Sequence, residues 1–221
     1  MPELDFRVTG VEPGARGLTP LLVFNLEVTN TPAEESIQSA ILQAQIQFQC
    51  PLRAYSASEK AKLVELFGTP ERWGQTLRNR LWAIAGTTLG PFAGKTRAQI
   101  PVPCTFDLNV STAKYFHALE SGDVPLLFLF SGTVFYRGQD GRLQVQRISH
   151  EKECTWRMPA STWQELMDHH WPNSAWISMQ RDVFDRLCDF KRRNGDPTWE
   201  QALERLLAIA EETEAIPELL P

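Results

Sequence analysis

The sequence lacks any hydrophobic run long enough to cross a membrane. Its most apolar stretch, residues 125–130, is far short of the roughly 20 residues that span a bilayer. The amino terminus, Met-Pro-Glu-Leu-Asp, has neither the basic nor the apolar segment of a secretory signal, and the final Glu-Leu-Leu-Pro is no lipidation motif. We therefore expect a soluble, cytoplasmic protein that does not contact membranes.

Cysteine and histidine are scarce, with four of each among 221 residues. Zinc sites usually pair their ligands at short spacing, as in Cys-x-x-Cys. No such pair is formed by the cysteines, which are Cys50, Cys104, Cys154 and Cys188. Without a secretory signal we expect reduced thiols that serve as small residues of the core or its boundary. The sequence predicts no metal ion and no other cofactor.

The chain also lacks the charge and the motif that would indicate nucleic acid or a nucleotide. Its formal net charge of −5 argues against broad electrostatic binding to nucleic acid or anionic membrane. Residues 90–96, Gly-Pro-Phe-Ala-Gly-Lys-Thr, look like a phosphate-binding loop, but three residues precede the Gly-Lys pair where that loop needs four. They are also expected to leave a helix and enter a strand, which is the wrong direction. A glycine-rich turn is the better interpretation.

No nucleophile, base and orienting group come together in the sequence. Neighbouring side chains on a helix diverge by about 100°, so His169 and His170 rarely hold one ion together. On a strand, His150 and Cys154 would lie about 13 Å apart. An enzyme would require that His117, His150, His169 and Cys154 converge in space. Metal handling by the cysteines and histidines is a further alternative.

Strand patterns fill the first half of the sequence. Apolar and polar residues alternate in residues 4–9 and 22–28, the period-two signature of a half-buried strand. The third strand is the clearest, because its apolar residues at 42, 44, 46 and 48 point one way while Gln43, Gln45 and Gln47 point the other. One of its faces therefore packs on a core and the other meets water or a partner.

A helical insertion at 57–86 is expected after the third strand. Ser56 and Glu59 fit a capping box, in which each side chain satisfies a free backbone N–H of the other. A second helix is predicted to begin after Thr69, with a proline at its first position. Its buried stripe would consist of side chains at helical spacing, namely Trp73, Leu77, Leu81 and Ile84.

The pattern becomes helical again after Pro159. We expect an antiparallel β body at 1–158 that contains the insertion, a helical arm at 159–214 packed on that body, and a frayed tail at 215–221. The predicted fold class is therefore mainly β with helices (α+β). Its architecture is either an antiparallel β-sandwich or one large twisted sheet, with a C-terminal helical arm.

Tryptophan is abundant, and five of the seven lie in the last third of the chain. Its large apolar ring with a polar N–H suits cores and interfaces alike. Packing of the arm on the sheet would bury most of them, and any that stay exposed would mark a partner surface. The candidate protein-contact residues are Trp163, Trp171, Trp176, Trp199, Gln43, Gln45 and Gln47. The expected partner is another protein or a second copy of the chain.

Several segments resemble an uncharacterised bacterial family, a domain of unknown function. They are residues 67–78 (Phe-Gly-Thr-Pro-Glu-Arg-Trp-Gly-Gln-Thr-Leu-Arg), 101–105, 114–119, 125–136 and 172–176, and the resemblance reaches about Leu207. That family is associated with gene neighbourhoods of high-affinity, hydrogen-scavenging nickel–iron hydrogenases. The resemblance implies an accessory or assembly role with hydrogenase subunits as partners, and it brings no known catalytic motif. The sequence therefore favours a non-catalytic protein-binding or assembly factor over an enzyme.

Overall fold

Strands in two antiparallel sheets form the body of the computed structural model, which describes residues 1–14, 19–105, 110–138, 140–175 and 177–214. In chain order the described strands are β1 (Glu3–Pro13), β2 (Leu21–Thr31), β3 (Ile37–Phe48), β4 (Arg80–Leu89), β5 (Lys95–Pro103), β6 (Asp123–Arg137), β7 (Leu143–Arg147) and β8 (Glu153–Pro159). The smaller sheet has the order β1-β2-β5. The larger has the order β4-β3-β6-β7, and β8 also pairs with β6. This confirms the predicted antiparallel α+β fold.

The two sheets face each other across one apolar core. Phe6 of the smaller sheet stacks on Phe130 of the larger, with ring centroids 4.3 Å apart. Phe24 meets Phe128 edge-on at 5.1 Å. Aromatic pairs of this kind add about 0.5–1.5 kcal/mol beyond the apolar area that they bury. The alternation in β1, β2 and β3 therefore produces a sandwich, because each strand turns its apolar side inward.

Helices follow β3, as predicted, but they end earlier. They are α1 (Ala57–Lys62), α2 (Val64–Phe67), a 3₁₀ turn (Pro70–Arg72) and α3 (Trp73–Thr76). The capping box is confirmed, since the Glu59 N–H donates to Ser56 Oγ at 3.1 Å and the Ser56 N–H donates to Glu59 Oε2 at 2.9 Å.

The predicted helix over the last part of 57–86 is wrong, because those residues belong to β4. Two residues of the expected buried stripe, Leu81 and Ile84, are 51% and 57% exposed, while Trp82 between them is buried. Pairing with β3 satisfies the β4 backbone and buries Trp82 and Leu89 in the sandwich. The Gly-Thr-Thr run at 86–88 is also poor helix-forming sequence.

The connection between β4 and β5 differs from expectation. Residues 90–94, which resemble a phosphate-binding loop, join two strands and do not follow a helix. The Lys95 side chain there pairs with Glu27, with Nζ 2.6 Å from Oε2. Elsewhere around the larger sheet, α4 (Val110–Ala118) lies between β5 and β6, and a turn at 149–152 separates β7 from β8.

The chain divides into two compact units, Met1–Ser174 and Ala175–Pro221. The first includes α5 (Ala160–His170), and the second includes α6 (Arg181–Asn194) and α7 (Trp199–Glu214). Within the second unit, Phe184 contacts Trp199 at 5.6 Å, and Arg205 pairs with the buried Asp196 at 2.7 Å. The predicted tail at 215–221 lies outside the described residues. No described helix combines the length and the apolar character needed to cross a membrane.

Candidate protein-binding surface

The outward side of β3 carries a row of glutamines in the middle of the larger sheet. Gln43 is exposed, and Gln45 and Gln47 are half-buried, while Ala44 and Ile46 between them are buried. Within the described residues, none of the three side-chain amides has a hydrogen-bond partner. Each amide offers two N–H donors and one acceptor oxygen, and the amide is uncharged at any pH near neutral. The row can therefore bind an uncharged polar surface.

Apolar side chains flank this row on both neighbouring strands. Gln45 is opposite Ile84 on β4 and Leu129 on β6, and Gln47 is opposite Leu81 and Leu127. At the end of the row, Ile41 is 55% exposed. We call the set Ile41, Gln43, Gln45, Gln47, Leu81, Ile84, Leu127 and Leu129 the glutamine face. Its centre has no charged residue, a composition that interface cores share.

Charged residues of the same side lie on the strands beyond β6. Glu153 of β8 is opposite Leu129, and Arg147 of β7 is opposite Thr133. Protein interfaces commonly have this arrangement of an uncharged centre and a polar rim.

One glycine allows β6 to lie close beside β3. Gly132 has φ +149°, and a Cβ at that position would lie 2.0 Å from the Ile41 carbonyl oxygen. That separation is far below any non-bonded contact, so a larger residue would push β6 away from β3. Gly132 therefore fixes the distance between β3 and β6.

The tryptophans named as candidate contact residues have different environments. Trp163 is only 6% exposed and stacks on Phe116 at 4.7 Å, so its ring packs within the core of the first unit. Trp171 is half-buried, and Trp199 is 37% exposed. Trp176 lies outside the described residues. Of the tryptophans whose environment is described, Trp199 is therefore the one most open to solvent.

The four residues that an enzyme would need to gather lie on different elements. His117 is on α4, His150 in the turn before β8, His169 on α5 and Cys154 on β8, and the three histidines are exposed. No hydrogen bond or ring contact joins any two of them within the described residues. The same part of the chain contains no group of three His, Cys, Asp or Glu side chains that could hold a metal ion.

Three of the four thiols are also poor nucleophiles. Burial raises the pKa of Cys50 to about 11 and the pKa of Cys104 to about 12, and it raises the pKa of Cys154 as well. Because the thiolate is the reactive and metal-binding form, these three side chains stay protonated at neutral pH. No observation in the described residues therefore favours the enzyme or the metal-handling alternative.

A buried ion pair beside the sheet was not expected from the sequence. The Arg53 and Glu59 side chains are 6% and 5% exposed, and the guanidinium donates to both carboxylate oxygens at 2.9 and 3.1 Å. Arg53 also donates to the backbone carbonyls of Ser121 and Asp123, which ties α1 to the loop before β6. Glu59 accepts further bonds from the Ser56 and Glu120 N–H groups.

Burial opposes ionisation of Glu59, but the hydrogen bonds from Arg53 and from the two backbone N–H groups outweigh it. They hold the pKa of Glu59 at about 2, well below its usual value. Beside the pair, the Tyr55 hydroxyl donates to the Cys50 carbonyl at 3.0 Å and lies 3.1 Å from the Tyr115 hydroxyl. We call Cys50, Arg53, Tyr55, Ser56, Glu59 and Tyr115 the Arg53 cluster. Only its capping-box part, Ser56 with Glu59, had a local sequence signal.

Comparisons with known proteins give a family and three distant structural likenesses. The chain is similar to the putative ApaA protein from Bordetella pertussis at 12% identity, over 71% of this chain and 94% of that one, with a TM-score of 0.27. It is similar to β-glucosidases from Kluyveromyces marxianus and Paenibacillus barengoltzii, each at 15% identity, with TM-scores of 0.22 and 0.29. The matches cover 72% and 84% of this chain but only 15% and 20% of those enzymes.

All three TM-scores are too low to bear on function, and no curated protein matches the chain. The family comparison is different, since its model matches residues 1–215, almost the whole length. The chain belongs to DUF6084, a family of unknown function.

Proposed function

We propose that this chain is a non-catalytic protein-binding or assembly factor of the cytoplasm, and that the glutamine face holds its protein partner. The observation that carries the proposal is the exposure of Ile41, Leu81 and Ile84 in the middle of a sheet, around glutamines whose amides have no hydrogen-bond partner among the described residues. Exposed apolar residues scattered singly need no explanation, whereas a contiguous patch with a polar rim is typical of an interaction site.

The size of the face indicates how much of an interface it supplies. Six residue steps along β3 and three adjacent strands give a patch about 20 Å long and about 15 Å wide. That is on the order of 300 Å², whereas a standard interface buries about 800 Å² on each partner. The glutamine face therefore supplies the centre of the contact. The charged rim on β7 and β8 extends it.

Family resemblance adds a more specific version of this proposal. In that version the partner is a subunit or an assembly intermediate of a nickel–iron hydrogenase. The gene-neighbourhood association supports it. Deleting the gene tests this version, because hydrogenase content and activity should fall. Normal hydrogenase in the deletion strain would remove it while leaving the general proposal intact.

The general proposal is tested by co-purification with the tagged full chain from its native host. Gln45→Lys and Ile84→Lys each place a charge at the centre of the face, so we expect either to abolish recovery of a stoichiometric partner. Gln201→Lys makes the same chemical change at an exposed position of α7 and should retain the partner. Recovery of the same partner with both face variants would contradict the proposal, as would the absence of any partner.

Self-association is separated from a different partner by the molar mass of the purified chain. If a second copy covers the glutamine face, light scattering should show a dimer whose fraction rises with concentration. Gln45→Lys and Ile84→Lys should then leave a monomer, while Gln201→Lys should still dimerise. A monomer at all concentrations assigns the face to another protein.

A further inference from the structure

A second surface of the first unit is a groove beside the helices that follow β3. It has a volume of about 990 Å³, at the upper end of the range for ligand pockets. Its lining includes Tyr55, Lys60, Pro70, Trp73, Leu77 and Arg78, and we call it the Trp73 groove. None of these residues belongs to the glutamine face.

The apolar wall of the groove is held in place by hydrogen bonds. Trp73 donates its indole N–H to the Gly68 carbonyl at 2.9 Å, and the Tyr55 hydroxyl is fixed by the Cys50 carbonyl. The two rings meet edge-on, with centroids 5.4 Å apart. A wall that is already ordered loses little conformational entropy when a ligand binds, so the groove is preorganised.

Positive charge at the rim is not neutralised within the described residues. Lys60 and Arg78 are exposed and form no ion pair there, and Arg78 makes one hydrogen bond, to the Leu77 carbonyl. The third cation of the lining, Arg53, is already paired with Glu59. None of the described residues that line the groove is acidic. In a chain with a net charge of −5, this is a local concentration of positive charge.

The adjoining depression on the other side of Tyr55 is more acidic. It shares Arg53 and Tyr55 with the Trp73 groove, and its lining adds Glu59, Glu120 and Asp123 with one further cation, Arg157. An anionic ligand is therefore directed to the end of the groove near Lys60 and Arg78, since like charges face it beyond Tyr55.

We propose that the Trp73 groove binds a short acidic peptide segment of a partner protein that also carries small apolar side chains. Its carboxylates pair with Lys60 and Arg78, and its apolar side chains lie on Leu77 and the edge of Trp73. Single-stranded nucleic acid fits less well, because bases stack on exposed aromatic faces and Trp73 is only 8% exposed.

Fluorescence anisotropy of labelled peptides on the full chain tests the proposal. The probe is the peptide Asp-Val-Pro-Asp-Leu-Glu, and we expect a Kd of about 10–100 µM at low ionic strength. A charge-reversed peptide, Lys-Val-Pro-Lys-Leu-Lys, and a peptide without apolar residues, Asp-Ser-Gly-Asp-Ser-Glu, should each bind at least about 10-fold more weakly. Hexathymidylate should also bind more weakly, and added salt should weaken binding of the acidic probe.

Two variants test whether the peptide binds in the Trp73 groove. Lys60→Glu combined with Arg78→Glu should weaken the acidic probe at least about 10-fold, since two attractions become repulsions. Gly74→Leu should abolish binding by filling the groove, because a Cβ at Gly74 meets no atom within 4 Å and the fold is not strained. The matched control, Arg142→Glu combined with Arg186→Glu, makes the same change in net charge at exposed positions elsewhere and should bind normally.

Several results would overturn the proposal: no binding of the acidic probe, equal binding of the charge-reversed peptide, tighter binding of hexathymidylate, or unchanged binding by both groove variants. The test is independent of the proposed function, because Gln45→Lys should leave peptide binding unchanged. Loss of the native partner in Gln45→Lys together with normal peptide binding would establish two separate surfaces.

Discussion

The Arg53 cluster and the glutamine face are two polar regions of the same unit that differ in burial and in hydrogen bonding. In the cluster, Arg53 and Glu59 are almost fully buried, and each meets several hydrogen-bond partners. On the face, the amides of Gln43 and Gln45 lie at the surface without partners in the described residues.

The difference distinguishes a structural site from a binding site. A buried polar group has to be satisfied within the fold, because it has lost its water. An exposed amide can keep its water until a partner replaces it. A search for shifted pKa values alone would have selected the Arg53 cluster as the functional site, because the pKa of Glu59 is lowered there. Its complete pairing indicates instead that it stabilises the fold.

The largest effect that we expect comes from removing the cation of the cluster. Arg53→Met should destabilise the protein by about 3–5 kcal/mol, because Glu59 is left buried without its countercharge and two backbone carbonyls lose their donor. Urea denaturation followed by circular dichroism measures this free energy of unfolding. Arg142→Met, at an exposed arginine, is the matched control and should change it by less than about 0.5 kcal/mol. A similar small change for Arg53→Met would show that the pair is dispensable.

The pH dependence of stability should reveal the contribution of Glu59 to the same ion pair. The pKa of Glu59 is about 2 in the folded protein, below its usual value of 4.5. A lowered pKa stabilises the fold above the unfolded value, and this contribution is lost as the pH falls from about 4.5 to about 2. The difference corresponds to about 3 kcal/mol.

Glu59→Gln isolates this contribution from that of other carboxylates. The free energy of unfolding of the wild-type chain should fall more steeply between pH 5 and 2 than that of Glu59→Gln, and urea titrations at several pH values measure both slopes. Glu3→Gln, at an exposed carboxylate, is the control and should keep the wild-type slope. Parallel slopes for wild type and Glu59→Gln would mean that the carboxylate ionises in the folded state as it does in the unfolded chain.

A smaller loss of stability is expected at Gly132 of β6, where a substitution would strain one residue. Gly132→Ala should destabilise the chain by about 1–3 kcal/mol, because alanine tolerates φ +149° poorly and its Cβ would overlap the Ile41 carbonyl. Gly74→Ala is the control, since a Cβ there meets open space. Unchanged stability in Gly132→Ala would indicate that β3 and β6 separate easily.

The sequence was informative where structure depends on near neighbours. Period-two alternation placed Gln43, Gln45 and Gln47 on one side of β3, and the spacing of Ser56 and Glu59 predicted the capping box. Both signals lie within a few residues of chain. The backbone carbonyls that Arg53 bonds across the fold lie 68 and 70 positions away, at Ser121 and Asp123, and no local pattern encodes them.

The misassigned strand β4 has the same cause. Leu77, Leu81 and Ile84 have helical spacing, so a local reading predicts a helix. The edge of β3 lies about 40 residues earlier in the chain, and pairing with it decides the structure in favour of a strand. Tertiary context overrides local propensity in such segments. The Trp73 groove was missed for a related reason, since it exists only where Tyr55 and Trp73 meet in space.

The smallest effect that we expect is on the glutamine face itself. Replacing Gln43, Gln45 and Gln47 together by threonine should change the free energy of unfolding by less than about 1 kcal/mol. No side-chain hydrogen bond within the described residues is lost, and threonine suits strands well. Urea denaturation measures it, and partner recovery should nevertheless fall. If the amides were bonded within the fold, their loss would cost about 1 kcal/mol each, or about 3 kcal/mol in total. A cost of that size would make the row structural, like the Arg53 cluster, and would remove the contrast on which its assignment as a binding surface depends.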